Sequence, residues 1–232
     1  MSENISHKIN ECDQLRSPER VCEPDSRTHF FVVLEDKGTG KFRRRVIEDQ
    51  YEAIACFKLN EAVPDAVAIH FETAKNLYLY AWFVYRFYPV SEQHVLATLE
   101  FALRERFPNL VKEQSGKRGF GLWKLLKYAI ENGYLKNELF TTREIWAWRR
   151  AEMRHSFEMS QKMMASGLDQ IEYSDSDVVV TQEDLDSDWL GTFQDAIPDI
   201  RNRHAHGSGD LMPSVRHSFE MVTELINQLY PN

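Results

Sequence analysis

The sequence predicts a mainly α-helical protein: an antiparallel helical bundle with a small N-terminal β-hairpin and an acidic insertion before the penultimate helix. Three observations carry this. Apolar residues recur at alternating spacings of three and four over much of the chain beyond residue 70, as they do on the buried face of a helix. Two short β-prone runs flank a glycine turn near residue 40. Between residues 169 and 199 stand ten acidic residues and no lysine or arginine.

The elements follow in order. Residues 1–28 are polar, contain Pro18 and Pro24, and read as a mobile tail. Residues 29–69 form an accessory segment in which 30–34 and 42–47 flank Lys37-Gly38-Thr39-Gly40 as a hairpin, its exposed edge carrying Arg43, Arg44 and Arg45. The helical domain spans 70–232. Its first helix is expected over 72–88, stopping at Pro89; Ser91 caps the next, in which Val95, Leu99, Ala102 and Leu103 make one apolar face. Leu122, Leu125, Leu126 and Ala129 open a third helix that Asn132-Gly133 ends through a left-handed cap. Thr141 and Glu144 match a capping box for a long helix reaching Ser166 and Gly167. Residues 168–187 form the acidic excursion, with a short strand at 178–180 as its one candidate element.

The last two helices carry the stripes Leu190, Phe193, Ile197, Ile200, His204 and Val215, Phe219, Val222, Ile226, Leu229. The short linker Gly207-Ser208-Gly209-Asp210 predicts that they fold back as a hairpin. Pro198 lies inside the first, where an interior proline costs about 3 kcal/mol. The helix therefore bends there or restarts with the proline in its first turn.

Composition bounds the function. The chain has 232 residues, 43% of them apolar, with 14 Phe, 9 Tyr and 5 Trp, enough for a well-formed core. The aromatic run 77–88 is too short for a bilayer and contains Arg86, so no membrane association is expected. The N-terminus lacks an apolar leader, and Cys12, Cys22 and Cys56 follow no metal-site spacing, which suits a reducing cytoplasm. A net charge of −8 argues against nonspecific coating of nucleic acid. Without residues 169–199 the remainder is +2, so a local basic face drawn from Arg43, Arg44, Arg45, Arg104, Arg106, Lys117, Arg118, Arg149, Arg150, Arg201 and Arg203 is open to it. There is no Walker loop, dinucleotide fingerprint, zincin motif or nucleophile elbow, and no cofactor is expected.

The densest chemistry lies at Arg201-Asn202-Arg203-His204-Ala205-His206-Gly207, at the end of the penultimate helix. His204 falls on the apolar stripe and reads as a core or interface histidine. His206 lies off it, one turn after Asn202, which is placed to orient its ring. The helix C-terminus favours imidazolium there while Arg201 and Arg203 oppose it, balancing His206 for proton transfer. Read more plainly, Arg201 and Arg203 are solvated cations at a helix end. His204-x-His206 with Asp199 or Asp210 is a poor metal site, since the two rings diverge on a helix; no metal is expected.

This pattern, Arg201, Asn202 and His206-Gly207 before a helical hairpin, resembles the HEPN family (higher eukaryotes and prokaryotes nucleotide-binding) over roughly residues 70–230. A second copy of the spacing, Arg150 to His155, lacks the asparagine, the glycine and the helix end. The resemblance implies a homodimer with a composite site, and metal-independent RNA cleavage by 2′-hydroxyl attack, as in toxins and phage-defence proteins. It implies roles for Arg201 at the phosphate, Asn202 in orientation, His206 in proton transfer and Arg203 in substrate binding, and an antitoxin or regulatory partner. The alternative is a non-catalytic module of the same fold that dimerises or binds nucleic acid or nucleotide.

Overall fold

The computed structural model describes residues 9–36, 38–113, 121–171, 174–205 and 215–232. Among them the protein is mainly helical, with one two-stranded antiparallel sheet. The elements are β1 Val32–Asp36, β2 Lys41–Arg44, α1 Ile47–Ala55, α2 Asp65–Tyr80, α3 Phe87–Arg106, α4 Pro108–Glu113, α5 Leu122–Glu131, α6 Arg143–Ser166, α7 Gln182–Leu185, α8 Trp189–Ala205 and α9 Arg216–Leu229. Among the described residues no helix is long and apolar enough to cross a membrane.

The core is organised on α3. Tyr88, Val95, Leu96, Leu99, Ala102 and Leu103 are fully buried in it, and α2, α5, α8 and α9 all pack on it. α9 lies parallel to α3: Ser218 donates to the Glu92 carboxylate near one end, and the Tyr230 hydroxyl donates to the Ala102 carbonyl at 2.9 Å near the other. Its expected stripe is buried throughout, and Ser218, Met221, Thr223 and Leu225 are buried as well. Phe219 is the hub, its ring 6.3 Å from Phe57, 6.0 Å from Phe71 and 6.1 Å from Tyr78. α8 packs on α3 and α5, and its direct contact with α9 is slight among the described residues. Each of the last two helices thus buries its stripe against α3 more than against its neighbour in sequence.

The structure departs from expectation in several places. α2 begins at Asp65, because Val67, Phe71, Ala74 and Tyr78 extend its buried face backward; the expected domain boundary at 69/70 falls inside it. The run 77–88 is not one helix. It breaks at residues 81–86, and Pro89 sits in the first turn of α3, where its missing N–H leaves no bond unmade. Ser91 therefore caps nothing; its hydroxyl, buried, donates to the Ala74 carbonyl.

Residues 9–28 are not a free tail. They form 3-10 turns at Glu11–Asp13 and Pro18–Arg20 and enter a third at Ser26–Phe30. Asp25 docks them: its N–H donates to the Trp82 carbonyl at 2.9 Å, and its fully buried carboxylate accepts from the Tyr85 N–H at 3.1 Å and from Arg27 at 2.8 Å. These bonds satisfy the backbone that the break between α2 and α3 leaves open. Burial alone would raise the Asp25 carboxyl; the Arg27 and Tyr85 hydrogen bonds outweigh it and hold the group below the usual carboxylate range.

The hairpin pairs Val32 with Arg44 and Leu34 with Phe42. Its arginines do not share an exposed edge. Arg43 grips Asp49 at the start of α1 through two bonds of 2.6 Å, and Arg45 reaches the Tyr78 hydroxyl at 3.3 Å. Thr141 is not a helix cap either: its N–H and hydroxyl both go to Glu224 of α9, and Thr142 stands at the cap position of α6. The glycine ends hold as expected, with Gly133 at φ 71° and Gly167 at φ 64°.

The acidic excursion contains no strand at 178–180. Thr181 and Asp184 cap α7 in its place: the Thr181 N–H and hydroxyl donate to the Asp184 carboxylate. The segment docks along α6. Arg154 meets Asp184 at 2.5 Å and the Val179 carbonyl at 3.0 Å, Arg150 meets Glu183 at 2.9 Å, and Arg143 meets the Leu185 carbonyl at 2.7 Å and Asp186 at 2.9 Å. Arginines at i, i+7 and i+11 lie along one side of a helix, and a carboxylate-rich chain is their natural cover.

Two outcomes follow from these contacts. Asp25→Ala lowers stability by about 3 kcal/mol, the scale for breaking a buried ion pair, read as the urea midpoint. Because the folded carboxyl is held low, its contribution is present above about pH 4 and is lost as pH falls through its lowered value. The gap between wild type and variant therefore closes on acidification. Arg154→Ala takes from buried Asp184 the nearer of its two arginines, and limited proteolysis within residues 174–188 becomes several-fold faster while α9 stays protected.

Candidate functional site

α8 runs without interruption through Pro198, so the helix does not restart there; the bond lost is the one to the Gln194 carbonyl. Leu190, Phe193 and Ile197 are buried and Ile200 packs at the core's edge. Anchoring that stripe turns the following residues outward: Arg201 is partly exposed, and Asn202 and Arg203 are exposed. The last residue of α8 is Ala205, and His206 lies outside the described residues.

Arg201 is held from two sides. One terminal nitrogen donates to Glu100 of α3 at 3.2 Å, and the other to the Asn202 side-chain oxygen at 3.2 Å. Glu100 is shared: its other oxygen accepts from Arg104 at 2.7 and 3.1 Å. Glu100 thus ties Arg104 of α3 to Arg201 near the end of α8. An open depression of about 650 Å³ lies alongside, lined by Ala196, Asp199, Ile200, Asn202 and Arg203. The structure thus brings Arg201 and Asn202 together and sets Arg203 beside them on the same exposed surface.

Glu100 is the residue that sequence reasoning missed. Its i, i+4 relation to Arg104 was visible. Its bond to Arg201 is not, since the two stand 101 positions apart.

The competing copy of the motif has a different environment. Arg150 engages Glu183, Asp184 and Ser187 with all three faces of its guanidinium, so it serves to fasten the acidic segment. The broad basic face left open by the sequence is likewise divided up. Arg43, Arg104, Arg149, Arg150 and Arg201 each meet a carboxylate, because a chain with excess acid has one within reach of most arginines. Lys117 and Arg118 lie outside the described residues. Glu220, the partner of Arg149, shows the strength of such pairing. Burial pushes its carboxyl up, but hydrogen bonds from His217 and Arg149 prevail and hold it at about 2.

Among the described residues no three His, Cys, Asp or Glu side chains come together as metal ligands. The segment 174–188 directs its ion pairs to α6, and none of those described reaches Arg201. Comparison of the chain with known protein families, with curated proteins and with solved structures finds no match.

Glu100→Gln removes the carboxylate that neutralises half of the Arg104–Arg201 pair. Single-stranded RNA, followed by fluorescence anisotropy, is expected to bind the variant several-fold more tightly at low salt, the gain shrinking as salt is raised. Equal binding would mean that Glu100 does not compete for Arg201.

Proposed function

We propose that the protein is a metal-independent endoribonuclease whose site is built on the C-terminal end of α8 and completed across a homodimer. The observation that supports this best is the Arg201 guanidinium held between Glu100 and Asn202, with an open surface beside them. A guanidinium on a shared carboxylate can exchange part of that contact for a phosphate, and its planar fork suits the phosphate's oxygens.

In this reading the RNA 2′-hydroxyl attacks the adjacent phosphorus, the 5′-oxygen leaves, and a 2′,3′-cyclic phosphate forms. One proton leaves the nucleophile and one reaches the leaving group. His206 is the group for these transfers, acting as base or acid, with a copy from each protomer when two meet. Arg201 stabilises the charge that gathers on the phosphate oxygens, Asn202 orients the site, and Arg203 adds phosphate affinity. The activity belongs to a cytoplasmic toxin or defence protein, restrained by an antitoxin or regulatory partner.

The test is cleavage of a mixed RNA pool in excess EDTA. His206→Ala is expected to lower the rate by about 10²–10⁴ and Arg201→Ala by about 10²–10³. Arg150→Ala, which changes the other copy of the motif, should cleave at the wild-type rate. Products carry a 2′,3′-cyclic phosphate, and light scattering gives a dimer. Activity surviving both His206→Ala and Arg201→Ala removes this site. A wild type that dimerises and binds RNA without cutting it replaces the proposal with the non-catalytic module.

A further inference from the structure

A cleft of about 480 Å³ lies between the turn after α5 and the end of α9, within the range of small-molecule sites. Its walls include Arg106, Tyr134, Lys136, Leu139, Gln228 and Leu229. Three hydrogen-bond donors stand there. The Arg106 guanidinium lies between two rings, 5.6 Å from the centre of Tyr134 and 5.7 Å from that of Tyr230. Among the described residues neither Arg106 nor Lys136 meets a carboxylate, in a chain where most described arginines do.

The third donor is Gln228. Its side-chain oxygen accepts the Lys136 N–H at 2.8 Å, which fixes the amide's orientation. Its nitrogen is thereby committed to the other side, where it is buried with no partner among the described residues. That nitrogen is closed off from the cleft, so the groups a ligand there meets are the two cations. The one carboxylate lining the cleft, Glu224, is nearly closed off and already receives the Thr141 N–H and hydroxyl. The cleft therefore offers two cations against a wall made by Tyr134 and Leu139.

We propose that this cleft binds a small organic anion, a phosphate or carboxylate head carried on a flat apolar body. The head takes Lys136 and Arg106, and the body lies along Tyr134 and Leu139. This is independent of the ribonuclease reading: the residues are different, and the test measures binding alone.

Isothermal titration of the full chain with phenyl phosphate, benzoate, inorganic phosphate and neutral benzyl alcohol tests it. The aryl anions are expected to bind and benzyl alcohol not to. Lys136→Ala weakens binding roughly tenfold, the scale of a lost charge-assisted hydrogen bond. Arg106→Ala abolishes it. Arg106 also supports two rings, so the exposed Lys136 is the decisive variant. Preference for phenyl phosphate or for benzoate assigns the head group. No binding by any anion at millimolar concentration overturns the proposal. So does binding matched by benzyl alcohol or untouched by Lys136→Ala.

Discussion

The enclosure of α3 is the constraint on which the rest depends. A helix covered by four others has little water along its covered faces, so polar side chains there draw on protein partners. Ser91 uses the Ala74 carbonyl, Thr98 the His94 carbonyl one turn back, and Glu92 the Ser218 hydroxyl. Glu100 sits next to fully buried Leu99 and takes two arginines. Arg201 is thus referenced directly to the core. A guanidinium at a helix end is ordinarily a mobile surface group. Here its position is set by a carboxylate whose own backbone is fixed by the best-packed element of the fold, which is the kind of support that a catalytic or binding arginine needs.

Charge is distributed by the same logic. The chain carries more acid than base, and the excess is used locally: Asp25 fastens the N-terminal turns, Asp49 the hairpin, and the segment 174–188 the arginine side of α6. Arg104 shares its carboxylate with Arg201, and Arg106, two residues on, has rings in place of a carboxylate. Two residues apart on a helix means well-separated directions. One helix end therefore supplies positive charge to two different surfaces, the end of α8 and the cleft beside α9.

Much of this was legible in the sequence, wherever a buried stripe or a glycine set the local structure. The faces of α5 and α9, the left-handed ends at Gly133 and Gly167, and the hairpin all follow from period and punctuation. What was not legible depended on distant partners. Nothing local says that Thr141 will serve Glu224 and not a helix end, or that the polar run 9–28 will fold onto the α2–α3 break through one aspartate. Pro89 is the instructive case, because a proline is compatible both with the end of one helix and with the first turn of the next. At the candidate site, Arg201 and Asn202 could be read from the motif, whereas Glu100, which sets their charge, could not.

Context decides function as well as fold, and the chain contains its own control. The hexapeptide Arg-His-Ser-Phe-Glu-Met occurs at 154–159 and again at 216–221. In both places it is helical. Yet Phe157 is 63% exposed while Phe219 is fully buried at the centre of an aromatic cluster. Arg154 clasps Asp184, whereas Arg216 donates to the Ala53 carbonyl. Identical local sequence has produced a solvent-facing clamp in one helix and a core wedge in the other, because α3 lies against only one of them. The same reasoning separates the two Arg-x-x-x-x-His copies. Arg150 faces an acidic chain with enough carboxylate to neutralise it; Arg201 faces a single carboxylate already shared. Spacing makes the two equal candidates. The number of carboxylates that each guanidinium meets is what separates Arg201 from Arg150.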